Sequence, residues 1–137
     1  MSTPLVDAII TETPPAELLR AVAARMRELA DAATPGTWSH NCMGSHGCQV
    51  YNDGRLREHK SVAFFGRKEW KADHADAAYV AAFQPAVAKA TAQLLDQLAG
   101  EADHLGATPL VMYGQEVARA FMDAAGWQAY VMEESAR

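Results

Sequence analysis

The chain has only two cysteines, Cys42 and Cys48, in 137 residues. That is too few for the disulfide scaffold of a small secreted domain. No run of about 18 apolar residues occurs, so no membrane span is expected. The segment Met1–Ile10 lacks the basic start and apolar core of a signal peptide. The expected compartment is therefore the cytoplasm. Positive charge is also short: 12 Lys and Arg against 17 Asp and Glu give a formal net charge of −5. A nucleic-acid binder normally carries a basic stripe, because neutralising phosphates drives its affinity. There is no phosphate-cradling glycine loop, no Ser–His–Asp order and no zinc-protease helix. Apolar residues are not lacking. They make up 50% of the chain, beside 21% charged residues, which is the balance of a globular protein. This length favours one domain, residues 1–137, with a core that needs no staples. Residues 1–12 are read as a flexible N-terminus.

Thr13-Pro14-Pro15 opens the first convincing element, with Thr13 as N-cap and Pro14 as first helical residue. Leu18, Val22, Met26, Leu29 and Ala33 follow at spacings of a single helical face, which predicts an amphipathic helix over 14–33. Thr34-Pro35-Gly36 ends it. Cys48-Gln49-Val50-Tyr51 then reads as a short strand, Asn52-Asp53-Gly54 as a hairpin turn, and Ser61–Phe65 as a second strand closed by Gly66. The expectation is a two- or three-stranded antiparallel unit. Its Val50, Val62 and Phe64 side should pack on the helices, because an isolated hairpin is marginal.

Helical spacing returns over residues 72–99, with Tyr79, Phe83, Val87, Ala90, Leu94 and Leu98 on one predicted core stripe. Pro85 predicts either two helices, 72–83 and 85–99, or one sharply kinked helix. Gly100–Thr108 reads as a polar connection. Residues 109–125 can be read as one helix, or as a strand at Leu110–Tyr113, a helix at Gln115–Ala125 and a last strand at Trp127–Met132. The strand–helix–strand reading is preferred, since Gly114 inside a helix would cost about 1 kcal/mol relative to alanine. The fold class expected is α+β: amphipathic helices packed on a small antiparallel sheet, with a C-terminal strand–helix–strand or helical unit.

The segment richest in reactive side chains is His40-Asn41-Cys42-Met43-Gly44-Ser45-His46-Gly47-Cys48. Thiolate and imidazole are the ligands zinc prefers, so His40, Cys42, His46 and Cys48 are a candidate metal set. Each histidine lies two residues before a cysteine, a spacing that turns both side chains the same way on a strand. Known zinc sites, however, separate two short ligand pairs by a longer stretch. An exposed glycine-rich loop is therefore the preferred reading, with no cofactor expected and zinc as the alternative. The two thiols could also close a small redox disulfide. Asp73, His74 and Asp76 open a helix; two carboxylates and a histidine can bind a metal or do acid–base work, but acids in a first turn also oppose the positive end of the helix dipole, and that is the preferred reading. His59, His74 and His104 have no partners at diagnostic spacing. Arg55, Arg57, Lys60, Arg67, Lys68 and Lys71, interleaved with Phe64, Phe65 and Trp70, form the one stretch suited to single-stranded nucleic acid. The aromatics fit a core equally well, and nucleic acid is the disfavoured partner.

A family pattern runs through these elements. Ala33-Thr34-Pro35-Gly36-Thr37-Trp38 follows the first helix, and Asp53-Gly54 lies in the β segment. Asp76-Ala77-Ala78-Tyr79-Val80-Ala81-Ala82-Phe83-Gln84-Pro85-Ala86-Val87 comes next, then Leu94-Leu95-Asp96-Gln97-Leu98. This resembles the Ead-like proteins of phages and prophages: helix, "ATPGPW", a β region, "ADAxYIAxxNP", and a helix with paired leucines. The resemblance covers about residues 15–99, with Thr37 in place of proline and Gln84 in place of asparagine. The Cys/His segment and the extension 100–137 lie outside it. It implies an accessory protein of a phage early region and carries over no catalytic residue. The expected function is a non-catalytic phage or prophage accessory protein that binds a host macromolecule, a protein of host defence being one such target, in the host cytoplasm. A metal-dependent hydrolase or nuclease built on the Cys/His segment and a small-molecule binder are the alternatives. A homodimer is expected, two-fold dimers being the commonest oligomers.

Overall fold

The structure, a computed structural model, describes residues 4–42, 47–52, 61–65 and 70–124. The described residues form an α+β fold of five helices and one three-stranded antiparallel sheet. The order is α1 (Pro4–Glu12), α2 (Pro15–Ala32), β1 (Trp38–Cys42), β2 (Cys48–Asn52), β3 (Ser61–Phe65), α3 (Trp70–Ala82), α4 (Pro85–Leu105) and α5 (Pro109–Ala124). The chain divides into two compact units. One is built from residues up to Met26 and from Thr91 onward, the other from Arg27–Ala90.

The first unit is helical. Leu18, Leu19, Val22, Ala23 and Met26 of α2 are buried with Ala92, Leu95 and Ala99 of α4 and Val111, Ala118 and Met122 of α5. Val6 of α1 joins them at 1% exposure. Residues 4–12, read from the sequence as a flexible start, are thus a helix tied down by its own apolar face. Ion pairs between Arg20 and Asp103 and between Arg119 and Asp7 lie at the surface of this unit. The hydrogen bond from Arg20, and then its charge, hold the Asp103 carboxyl below its ordinary pKa.

The structure departs from three of the expectations. Gly100–Thr108 is not a polar connection: α4 runs through Gly100 to Leu105 and stops at Gly106, whose φ of 74° is a left-handed terminator. Leu110–Tyr113 is not a strand, because Pro109–Ala124 is one helix. Gly114 is buried on its inner face, where an added Cβ would stand 2.8 Å from Leu98 Cδ1 and 3.4 Å from Leu19 Cδ2. Close packing, which helix propensity does not measure, occupies the space of the missing side chain. Leu94 is not core either. It is 57% exposed, and its neighbour Leu95 is fully buried. The strand expected at Trp127–Met132 lies outside the described residues.

The second unit holds the sheet, in the order β1-β2-β3, with α3 packed over all three strands. Register pairs Trp38 with Asn52, His40 with Val50 and Cys42 with Cys48. On the other side of β2, Cys48 faces Phe65 and Val50 faces Ala63, but Tyr51 faces Ser61. Val62 is thus the extra residue of a β-bulge. The bulge explains a further correction. With Val62 inserted, Ala63 and Phe65 join Val50 against α3, and Phe64 pairs with Gln49 on the opposite face, 61% exposed. Directly paired residues share a face, so one residue of slippage reverses the strand's orientation.

The Thr34–Trp38 segment and Gln84 meet inside this unit. Trp38 donates its indole N–H to the Thr34 carbonyl at 2.8 Å, and its backbone N–H to Gln84 Oε1 at 3.1 Å. Gln84 Nε2 in turn donates to the Ala81 carbonyl at 3.2 Å. The Asn52 amide, nearly buried, donates to the Pro35 carbonyl at 3.3 Å. Gly36 takes the turn with φ 93°. Pro85 starts α4 after a two-residue break, as the two-helix reading expects.

Candidate functional site

Three elements build a cysteine–histidine cluster on the sheet face that meets α3. His40 and Cys42 alternate with Asn41 along β1, so both leave the strand on one side. Register places Cys48 of β2 directly opposite Cys42, with Cα atoms 4.0 Å apart, and the two sulfurs are joined as a disulfide. Gly47, with φ 82°, gives the chain the left-handed turn it needs just before Cys48. Cys48 is fully buried and Cys42 half-buried.

α3 supplies the third residue. His74, Ala77 and Ala81 are spaced at i, i+3 and i+7, and both alanines are buried against the sheet. The same face carries His74 to the strand ends, where its Nδ1 lies 3.1 Å from Cys42 Sγ. The Cys42, Cys48 and His74 ligand atoms all lie within 4.8 Å of one another. The His40 ring stands edge-on to the His74 ring, 5.5 Å between centroids. His74 itself is exposed, so the cluster has a closed sulfur side and an open imidazole side.

Of the candidate metal set, the structure brings the Cys42 and Cys48 sulfurs together with His74, and His40 stands beside them through its ring contact with His74. His46 lies outside the described residues, as do the Asp53-Gly54 turn and the basic run Arg55–Lys60. Asp76 is exposed and is not among the clustered ligand atoms. His104 is exposed in the last turn of α4. His74 was missed as a partner because it is 32 residues from Cys42. Its signal was the alanine spacing 74, 77, 81, which shows little hydropathy contrast in an alanine-rich helix.

Two other surface features belong to the second unit. An open hollow of about 260 Å³ is lined by Ala30, Ala33, Pro35, Gly36 and Pro85, with the Lys89–Asp31 ion pair, 2.7 Å, at its edge. Tyr79 of α3 and Phe83, just past its end, form an exposed aromatic pair, and Val87 of α4 is also exposed. Tyr79 is 64% and Phe83 60% exposed, and their rings lie 4.6 Å apart. The helical spacing of the sequence predicts all three in the core, and the structure leaves them exposed.

Comparisons with protein-family models, characterised proteins and solved structures return no match to this chain. Among the described residues no helix is long and apolar enough to cross a membrane.

Proposed function

We propose that this chain is a non-catalytic accessory protein of the Ead-like phage and prophage kind, which acts in the host cytoplasm by binding a host protein. The observation that carries this reading is the exposed Tyr79–Phe83 aromatic pair. Large apolar side chains held together at a surface mark protein-binding sites, and aromatic residues dominate the energy of such interfaces. Tyr79 and Phe83, whose tilted rings already lie 4.6 Å apart, lose little rotamer freedom when covered. The net charge of −5 favours a partner with a basic rim. The protein also acts as a homodimer through α5, whose outer face carries Leu110, Tyr113 and Val117, each more than 40% exposed.

The test is cross-linked affinity capture from host lysate, comparing the wild type with Tyr79→Ser/Phe83→Ser and with Leu105→Ser, which removes an exposed leucine elsewhere. Support is a protein captured by the wild type and Leu105→Ser and lost by the double variant, with affinity falling at least tenfold on purified components. Equal capture by all three, or no specific capture, removes the reading.

A further inference from the structure

We propose that Cys42, Cys48 and His74, with His40 as fourth ligand, form a zinc site in the reduced protein, and that the disulfide is the oxidised, metal-free state of the same residues. The proposal stands on the strand register, the placement of α3 and the donor chemistry, independently of the binding role above.

Two thiolates and two imidazoles are a soft, four-donor set of the composition that selects zinc over magnesium or calcium. Register fixes the sulfurs opposite each other on adjacent strands, on one face. Opening the S–S bond and separating the sulfurs to the roughly 3.7 Å spanned by two Zn–S bonds of about 2.3 Å requires only side-chain rotation. His74 Nδ1 already lies 3.1 Å from Cys42 Sγ, and the three ligand atoms fit within 4.8 Å. An ion bonded to all three would sit between them. His40 projects from β1 on the same face, and its ring is next to that of His74. The ligands come from two strands and a helix that already pack together, so no short loop has to wrap the ion by itself. The buried side is sulfur and the exposed side imidazole, which gives the ion an entry path through His74.

The two states exchange by a two-electron step. With hydrogen peroxide as oxidant, the half-exposed Cys42 thiolate attacks one peroxide oxygen and breaks the O–O bond. Hydroxide leaves and a Cys42 sulfenic acid remains. The Cys48 thiolate then attacks that sulfur, breaks the S–O bond and expels a second hydroxide as the disulfide forms. Two protons from solvent convert both hydroxides to water, and Zn²⁺ departs because its thiolate ligands are gone.

The experiment titrates the full chain with Co²⁺ and Zn²⁺ after reduction, with thiols counted by a colorimetric reagent. The expected result is one equivalent of Co²⁺ per chain. It should show tetrahedral d–d absorption and a thiolate charge-transfer band, be displaced by Zn²⁺, and be absent from the oxidised chain. Peroxide should release the ion with loss of both thiols. His74→Ala removes an exposed side chain and should leave the helical circular dichroism unchanged while weakening Co²⁺ binding at least tenfold. A reduced chain with two free thiols that shows no thiolate–cobalt band overturns the proposal, as does a His74→Ala variant that binds as tightly as the wild type.

Discussion

Gly100 and Gly114 both lie inside helices, and a propensity scale treats them alike. Their surroundings differ. A Cβ at Gly100 meets nothing within 4 Å, whereas one at Gly114 would press on Leu98 and Leu19. Gly100→Ala should therefore stabilise the protein by about 0.5–1 kcal/mol through helix propensity alone. Gly114→Ala gains the same term and sets against it an overpacking penalty of about 1–3 kcal/mol, so the net effect should be a loss of about 1 kcal/mol. Urea denaturation of the two variants checks both signs. Two increases would mean that Leu98 swings aside freely and that α5 is loosely packed. At this scale the sequence was informative where chemistry is local. Gly36 and Gly106 sit where turn residues were expected or needed, and Cys42, Cys48 and His40 come from one short segment. His74 was not legible, because nothing in residues 40–48 says which helix covers their face.

At the scale of elements, periodicity found the helices more reliably than it found their buried sides. The predicted stripe through Tyr79, Phe83, Val87 and Leu94 followed the large side chains. The core of α4 instead follows Ala92, Leu95 and Ala99, spaced by three and four. Small residues let α4 approach its neighbours closely, and leucines on the other side give a false hydropathy signal. The break at Gln84-Pro85 compounds the error, since a period counted through it carries no phase from α3 into α4. The same reasoning explains α2, where Ala30 is buried and Leu29 is 38% exposed. It also explains β3, where one bulged residue turns Phe64 outward. The stability of neighbouring leucines should therefore differ sharply. Leu95→Ala should cost about 2–5 kcal/mol, as expected for a buried leucine. Leu94→Ala should change stability by no more than about 0.5 kcal/mol, as for exposed positions. Thermal or urea unfolding of the pair decides it, and equal losses would place both leucines in contact with the core.

Across the whole molecule, each compact unit buries its own core. Unit by unit, the fold class was legible: Pro35-Gly36, the short strands and Pro85 mark the change from helix to sheet and back. The N-terminal helix was not, because nine residues with one buried valine carry too little pattern. Nor was the amount of apolar surface left outside the cores. α5 illustrates it best, with Val111, Ala118 and Met122 buried on one face and Leu110, Tyr113 and Val117 exposed on another. A helix that is apolar around most of its circumference is normally covered on more than one side. Covering it with a second copy joins identical faces about a two-fold axis, which demands only that the patch be self-complementary. Leucine, tyrosine and valine in a row satisfy this without charged groups to repel. Light scattering of the full chain at micromolar concentration should then give twice the 14.8 kDa chain mass. Tyr113→Asp would place two carboxylates against each other across the axis and should give the single-chain mass with helical content retained. Gly114, next to it, faces inward, so the substitution leaves the core of the unit untouched. A wild-type protein that scatters as a single chain at these concentrations would reject the dimer and leave the α5 face to a partner of different sequence.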